Sequence, residues 1–249
     1  MERGEQRRMK ILVVNDDGFE AEGIRQLAQA ACSLGEVYVV APERECSAMS
    51  HSLSVRREMA LRRRAFPAAG VKEAYSLSGT PADCVKVGIH VVLKGLPDLV
   101  LSGVNYGYNC GFDIAYSATV AAAIEARMNG IPAIALSRQR NGVTEVCDHY
   151  LPTVLKSLLE ERLAPGEIWN VNFPGCPLSE CMGILLERRV AQDFIFKDAY
   201  DVADKGEGLM LVTEAGEMLP EGPERDESDL WALHNGWVSV GRVRGTVLL

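Results

Sequence analysis

Oxygen-bearing side chains follow several apolar segments of this sequence, at points where parallel strands are expected to end. Asp16 and Asp17 follow the first such segment. Ser47 lies beyond the second, and Asn105 follows a later one. Ligands of open parallel sheets bind outside the carboxyl ends of the strands, so we expect these four side chains to converge. Carboxylate, hydroxyl and amide oxygens suit Mg²⁺, Mn²⁺ or Ca²⁺ and argue against zinc or copper. The four residues are therefore candidate ligands of one divalent cation.

The tandem acidic pair carries most of this signal. Successive strand side chains point to opposite faces, so Asp16 and Asp17 serve one ion only where the strand has broken into a turn. Gly18 permits such a turn. In the alternative interpretation, one Asp caps the following helix and the other is solvated. Asn105, in its glycine-rich surroundings, equally suits a plain turn, and Ser47 an exposed loop.

Backbone N–H groups and hydroxyls in three other segments are candidates for holding a phosphate group. They lie in the Gly/Asn-rich loop 103–116, at a helix start near Ser117 and at another near Thr80. The candidate substrate-binding residues are Gly79, Thr80, Gly107, Asn109, Ser117 and Thr119. Helix capping alone is an equally good explanation of the hydroxyls. His51, in the same loop as Ser47, is a candidate general acid.

Strands and helices alternate along most of the chain. Continuous apolar runs predict buried strands at Lys10–Asn15, Glu36–Ala41, Asp98–Ser102, Ile131–Leu136 and Ile168–Phe173. Helical periodicity fills the segments between them, and Thr80, Pro81 and Asp83 form a capping-box signature. The pattern predicts an α/β fold with a Rossmann-like, mostly parallel sheet flanked by helices.

The chain ends are expected to differ from this core. Residues 1–8 are expected to form a loose tail, and residues 9–249 a single α/β domain. After Pro174 the alternation stops, with Ile168–Phe173 as the last core strand, and 175–249 is interpreted as a C-terminal arm region. Met210–Val212 and Met218–Leu219 flank a short polar turn and predict a hairpin in this arm.

Composition excludes several classes of protein. The chain has 249 residues, 47% hydrophobic and 24% charged, which is ordinary globular composition rather than that of a disordered protein. No apolar run approaches the roughly 18 residues of a membrane span, and the polar N-terminus does not resemble a secretory signal. A net charge of -8 argues against general nucleic-acid binding. Seven scattered cysteines without a C-x-x-C pair predict reduced thiols in the cytoplasm.

Several of these segments together resemble the SurE family of survival-protein nucleotidases. The resemblance covers residues 9–174 and is carried by Ile11–Gly18, Val40–Pro42 with Ser47 and His51-Ser52, Gly79–Cys84, Leu101–Asn105 with Gly107 and Asn109, and Asn170–Pro174. It implies one divalent cation per subunit, Mg²⁺ or Mn²⁺, held by Asp16, Asp17, Ser47 and Asn105. It also implies homodimers or homotetramers whose C-terminal arms exchange between subunits.

The resulting hypothesis is a phosphoric monoester hydrolase. A metal-activated water would hydrolyse nucleoside 5′- or 3′-monophosphates to nucleoside and phosphate, with Asp16, Asp17 and Asn105 as catalytic residues. A covalent aspartyl-phosphate is the variant mechanism. The alternatives are a receiver-like Mg²⁺-binding signalling module and a phosphatase of non-nucleotide esters or short polyphosphate.

Overall fold

The computed structural model describes residues 8–218 and 227–245. Residues 1–7 of the expected N-terminal tail lie outside the described residues, and Arg8 is exposed. The strands are β1 (Lys10–Val14), β2 (Glu36–Pro42), β3 (Leu61–Arg63), β4 (Val71–Leu77), β5 (Leu99–Tyr106), β6 (Ala133–Arg138), β7 (Glu167–Phe173), β8 (Gly183–Arg188), β9 (Phe196–Lys197), β10 (Tyr200–Asp204), β11 (Met210–Glu214), β12 (Glu217–Met218) and β13 (Trp237–Arg244). The α-helices are α1 (Glu22–Ala31), α2 (Pro81–Val87), α3 (Ala118–Met128), α4 (Glu145–Glu160) and α5 (Asp229–His234).

Nine strands form one sheet in the order β3-β4-β2-β1-β5-β6-β7-β13-β8. The six strands from β4 to β7 in this order are mutually parallel, whereas β3 and β13 run antiparallel to β4 and β7. The predicted mostly parallel, Rossmann-like α/β sheet is therefore confirmed.

The chain reverses its direction across the sheet at β1. From β1 it proceeds outward through β2 to β4, and it then returns to the other side of β1 as β5 and continues to β6 and β7. Crevices at such switch points, outside the carboxyl ends of the strands, bind ligands in open α/β sheets. The turn after β1 and the end of β5 meet at this point.

Helices cover both faces of the sheet. Side chains of β1 alternate between two apolar cores: Ile11 and Val13 pack with α1 and α4, whereas Leu12 and Val14 pack with α2 and α3. This explains why β1 reads as a continuous apolar run. Within the described ranges, none of the helices has the length and hydrophobicity needed to cross a lipid bilayer.

The start of α2 confirms the predicted capping box. Thr80 Oγ1 accepts a hydrogen bond from the N–H of Asp83, and the Asp83 carboxylate accepts one from the N–H of Thr80. This helix is shorter than its apolar pattern indicates, because the chain continues from Gly88 to Val92 as a π-helical turn. A short 3₁₀ helix, Gly111–Tyr116, lies within the segment expected to be a loop.

The C-terminal region contributes more to the sheet than the sequence indicates. The expectation that Ile168–Phe173 is the last core strand is wrong, because β13 pairs with β7 and β8 pairs with β13. A hairpin is present outside the main sheet, but it consists of β10 and β11. Met210–Val212 therefore pairs with residues 202–204, and Met218 pairs with Phe196. Leu219, the end of the expected hairpin, lies outside the described residues.

Candidate active site

The chain turns sharply directly after β1. Asn15 Nδ2 donates to the carbonyl of Gly18 at 2.8 Å, and Gly18 has φ 100°, a conformation that favours glycine. The following helix begins at Glu22 with Ala21 as its N-cap and no side-chain capping bond. Neither Asp16 nor Asp17 caps α1, so the capping alternative does not account for the acidic pair.

Asp16 is buried in this turn. Its Oδ1 accepts a hydrogen bond of 2.5 Å from Thr119 Oγ1, and its carbonyl accepts one from the N–H of Cys46. Burial raises the pKa of the Asp16 carboxyl to about 7; the bond from Thr119 opposes this rise, and the charge of Asp17 adds to it. A carboxylate in this position is stabilised by a nearby cation.

Asp17 lies beside the end of β5. Its Oδ2 accepts a hydrogen bond of 3.0 Å from the main-chain N–H of Tyr106. Burial raises the pKa of Asp17 to about 6; the bond from Tyr106 and the charges of two arginines oppose the rise, and Glu45 adds to it. The two adjacent carboxylates therefore bond to different elements, as a broken strand allows.

Asn105 is the penultimate residue of β5 and directly precedes Tyr106. Its Nδ2 donates to the carbonyl of Gly107 at 2.8 Å, which leaves the side-chain oxygen as its ligand atom. The pairing of β5 with β6 shifts register between Ser102 and Asn105. Gly103, with φ 138°, lies against the carbonyl of Leu136, and a side chain there would collide with it. Asn105 therefore follows an irregular stretch of β5 that only glycine at position 103 permits.

Ser47 is the most exposed member of the set. It follows Cys46, whose N–H bonds to Asp16, so the main chain places it next to the acidic turn. Its Oγ donates to Glu45 Oε1 at 2.6 Å. Ser47 and Glu45 thus form one polar pair at the rim of the site.

The four candidate ligands lie on three segments of the chain. Hydrogen bonds join these segments, and each bond involves a candidate ligand or its immediate neighbour in sequence. Bonds from Cys46 to Asp16 and from Tyr106 to Asp17 make these connections. The part of the chain that the structure describes contains no group of three His, Cys, Asp or Glu side chains placed to share an ion. Asn15 Oδ1 is buried in the acidic turn without a hydrogen-bond partner. A hard cation with neutral oxygen ligands beside two carboxylates fits this donor set.

The candidate phosphate-binding residues differ in what they contact. Thr80 caps α2 and also donates to the carbonyl of Ser52, and with Gly79 it lines a cavity of about 290 Å³. Ser117 Oγ accepts from the N–H of Val120 and caps α3. Thr119 contacts Asp16, as described above. Their role in binding a substrate stays a prediction.

Asn109 belongs to a buried amide network rather than to the acidic turn. Its N–H donates to Asn172 Oδ1, and its Nδ2 donates to Ser137 Oγ. Its carbonyl accepts bonds from Asn170 and Asn172 on β7. Gly107 is closer to the site, because its carbonyl holds the Asn105 amide. The network fixes the Gly/Asn-rich loop against the sheet, whereas the expected contact of Asn109 with substrate stays a prediction.

Comparison with known proteins identifies the family. The model of the family described as "Survival protein SurE" matches residues 11–194. This chain belongs to the SurE family. The "5'-nucleotidase SurE 1" of Thermus thermophilus is 42% identical over 93% of this chain and 90% of its own length. The "5'/3'-nucleotidase SurE" of Cronobacter sakazakii is 39% identical over 93% and 88%. The crystal structure of the SurE protein from Aquifex aeolicus superposes with a TM-score of 0.78 at 37% identity, covering 94% and 93%.

The structure of this SurE family member adds residues that sequence reasoning missed. They are Glu45, whose charge raises the pKa of Asp17, and Arg138 and Arg140, whose charges lower it. Arg138 ends β6 opposite Tyr106 in the ladder, and its side chain is only 9% exposed. The available signal was a pair of arginines directly after an apolar strand, at the same edge as the acidic turn.

His51 contacts a buried carboxylate in this SurE family site. Its Nε2 lies 2.9 Å from Glu125 Oε2, and Lys86 Nζ lies 2.8 Å from Glu125 Oε1. Burial alone raises the pKa of Glu125, but the hydrogen bonds from His51 and Lys86 outweigh it and lower the pKa to about 2. The contact ties the loop that carries Ser47 to α3. The candidate general-acid role of His51 stays a prediction.

Proposed function

We propose that this SurE family member is a divalent-metal-dependent nucleotidase, which hydrolyses nucleoside 5′- and 3′-monophosphates to nucleoside and phosphate. The observation that carries the proposal is the pair of carboxylates, Asp16 and Asp17, held at the sheet's switch point with raised pKa values. The printed activities of the Thermus and Cronobacter relatives support the substrate class. The family match favours this hypothesis over a receiver-like module.

One divalent cation per subunit, Mg²⁺ or Mn²⁺, would be held by Asp16, Asp17, Ser47 and Asn105. The donor set is all oxygen, and the side-chain oxygen of Asn105 faces away from its bond to Gly107. Such an ion, when bound, neutralises phosphoryl oxygens and lowers the pKa of a bound water. Ser47 donates its proton to Glu45, so the lone pairs of its oxygen would be available to the cation.

The chain's own residues then position the reaction. The main-chain N–H of Tyr106 fixes the Asp17 carboxylate, and Thr119 fixes that of Asp16. One of the two carboxylates, Asp16 or Asp17, would accept the proton of the attacking water. The water oxygen forms the new bond to phosphorus, the bond between phosphorus and the nucleoside oxygen breaks, and the departing oxygen takes up a proton from solvent. The hydroxyl of Ser117 has its O–H free to donate to a phosphoryl oxygen, because the Val120 bond uses its lone pair.

The deciding experiment measures phosphate release from a panel of 5′- and 3′-mononucleotides, a non-nucleotide monoester and short polyphosphate. Each substrate is assayed with EDTA and with Mg²⁺, Mn²⁺ or Ca²⁺. We expect turnover of mononucleotides that chelation abolishes and Asp17→Asn reduces by at least about 100-fold. Glu160→Gln, an exposed change at the end of α4 that removes the same charge, is the matched control and should match wild type. Undiminished turnover after thorough chelation contradicts the proposal.

Direct attack by water and a covalent aspartyl-phosphate are separable in the same assay. Acid quenching during turnover, followed by a search for phosphorylated protein, tests for the covalent intermediate. We propose direct attack, so hydrolysis in ¹⁸O water should label the released phosphate with no phosphoenzyme trapped. A phosphoenzyme on Asp16 or Asp17 contradicts direct attack and leaves the nucleotidase activity standing.

We also propose a homodimer or homotetramer whose C-terminal arms exchange between subunits. The β10–β11 hairpin supports this: Tyr200, Val202, Met210, Leu211 and Val212 are each at least 51% exposed. Exposed apolar surface of this kind marks association sites. Light scattering of wild type and of Val202→Lys with Leu211→Lys tests it, and a monomeric wild type contradicts it. A cytoplasmic location is proposed on the free state of all seven cysteines.

A further inference from the structure

A tyrosine ring and two guanidinium groups stand beside the acidic turn. Tyr106 is 40% exposed, and its ring lies 5.3 Å from the guanidinium carbon of Arg138 and 5.9 Å from that of Arg140. Both distances are within the range of cation–π attraction. The main chain of the same tyrosine bonds to Asp17. One residue therefore connects two cations to a candidate metal ligand.

The tyrosine ring is locked in place. Its hydroxyl donates to Asn141 Oδ1 at 2.6 Å and accepts from the N–H of Asn141 at 3.1 Å. Asn141 has φ 59°, a left-handed conformation that Asn tolerates, and this turn after β6 brings Arg140 back over the ring. The Arg140 guanidinium therefore lies over a ring that its own hydrogen bonds to this turn hold in place.

The two arginines have different partners. Arg138 is almost buried and forms an ion pair of 3.0 Å with Glu22. Arg140 is exposed, and within residues 8–218 and 227–245 it forms no ion pair. It lies over the ring of Tyr106, whose main-chain N–H donates to Asp17. Arg140 is therefore an exposed cation at this edge whose guanidinium is not paired with a carboxylate among the described residues.

We propose that Arg140 is a phosphate-binding residue of this active site, and that the ring of Tyr106 positions it. The inference rests on the proposed phosphatase function and names a residue for it outside the four candidate metal ligands. In a protein of net charge -8, a dianionic phosphoryl group needs local positive charge to approach two carboxylates. A planar guanidinium binds two phosphoryl oxygens at once, which a lysine ammonium cannot do with the same geometry.

Inorganic phosphate is the probe that tests this assignment. Its binding to the full chain is measured by calorimetry in Mg²⁺, and its competitive inhibition constant against a nucleoside monophosphate is measured in parallel. We expect Arg140→Ala to weaken both by about 10- to 100-fold, and Arg140→Lys to fall between it and wild type. Arg162→Ala, an exposed arginine after α4, makes the same charge change and should match wild type.

Variants of the tyrosine test its positioning role. Tyr106→Leu removes the ring but keeps the main-chain bond to Asp17, so we expect phosphate affinity to fall several-fold with Arg140 still present. Tyr106→Phe keeps the ring and should restore most of the affinity. In the Arg140→Ala background, Tyr106→Leu should add no further loss, because the ring then has nothing to position.

The outcomes separate this inference from the proposed function. If wild type hydrolyses mononucleotides and Arg140→Ala binds phosphate as tightly as Arg162→Ala, the role of Arg140 is refuted and the nucleotidase proposal stands. If wild type binds phosphate but hydrolyses no monoester, and only the Arg140 variants lose phosphate binding, the nucleotidase proposal is refuted and the anion site stands. Circular dichroism of each variant excludes unfolding as the cause of a loss.

Discussion

Thr119 Oγ1 donates a hydrogen bond to Asp16 Oδ1 at 2.5 Å, although the two residues are 103 positions apart in sequence. The bond joins the first turn of α3 to the turn after β1. Because Thr119 is fully buried, no water can replace the donor if it is removed. The hydroxyl expected to donate to the substrate's phosphate thus donates its one proton to a candidate metal ligand in this structure.

Thr119→Val removes this donor while keeping the side-chain shape. The bond lowers the pKa of Asp16 against the effect of burial, so its loss should raise that pKa further and weaken metal binding near pH 7. We expect the Mn²⁺ concentration for half-maximal activity to rise by about 10-fold, as for a lost bond to a charged group. Thr119→Ser should retain wild-type behaviour, and an unchanged metal requirement in Thr119→Val argues against the coupling.

The raised pKa of Asp16 predicts how stability depends on pH in the absence of metal. Its pKa is 3.8 in an unperturbed side chain and about 7 here, so between these values the folded state binds more protons than the unfolded state. Stability should therefore fall as pH rises from about 4 to about 7. Asp16→Asn should flatten this fall and, in EDTA at pH 8, unfold at a higher temperature than wild type.

With divalent ions present, wild type should unfold at a higher temperature than Asp16→Asn. These ions stabilise the folded wild type by binding to it, and Asp16→Asn should lose most of that stabilisation. Thermal melts with EDTA and with Mn²⁺ measure both effects. If the melting temperature of wild type in EDTA is the same at pH 5 and pH 8, the raised pKa of Asp16 is contradicted.

The depressed pKa of Glu125 predicts the opposite dependence. Its pKa is about 2 here and 4.5 in an unperturbed side chain, so its contribution is fully present above about pH 4.5 and is lost as pH falls toward 2. Glu125→Gln should lower the free energy of unfolding at pH 7 by about 1–3 kcal/mol. Urea titrations of the two proteins should converge near pH 2. Glu160→Gln, an exposed change at the end of α4, should follow wild type throughout.

Gly103→Ala tests the irregular end of β5. A side chain at this position meets the Leu136 carbonyl and requires φ 138°, so we expect destabilisation of about 1–3 kcal/mol and a loss of activity from displacement of Asn105. Gly95→Ala meets no atom within 4 Å and serves as the control. Full activity in Gly103→Ala would show that activity does not depend on the backbone conformation at position 103.

Local patterns predict the half of the sheet that carries the site. Buried parallel strands read as apolar runs, and the residues after them mark their carboxyl ends, so the acidic turn and Asn105 were found from residue order alone. The capping box at Thr80 was found in the same way, because its bonds span only three residues.

Several contacts between distant segments outside the acidic turn were not predicted. Nothing near Glu125 in sequence indicates that it pairs with His51 and Lys86. The partly exposed pattern of β8 and the distance of β13 from β7 along the chain hid the extension of the sheet. The position of Arg140 over Tyr106 depends on a left-handed turn at Asn141, which the residue type permits but does not require.

The place of β13 between β7 and β8 constrains how the polypeptide matures on the ribosome. β8 is synthesised almost fifty residues before the strand that attaches it to the sheet, and until then β7 presents an open edge. The acidic turn and its neighbouring strands all emerge earlier, so the half of the sheet that carries this turn can assemble while the edge of β7 is still uncovered. A chain that stops before Trp237 would thus keep an uncovered strand edge on β7 and be prone to aggregation and proteolysis.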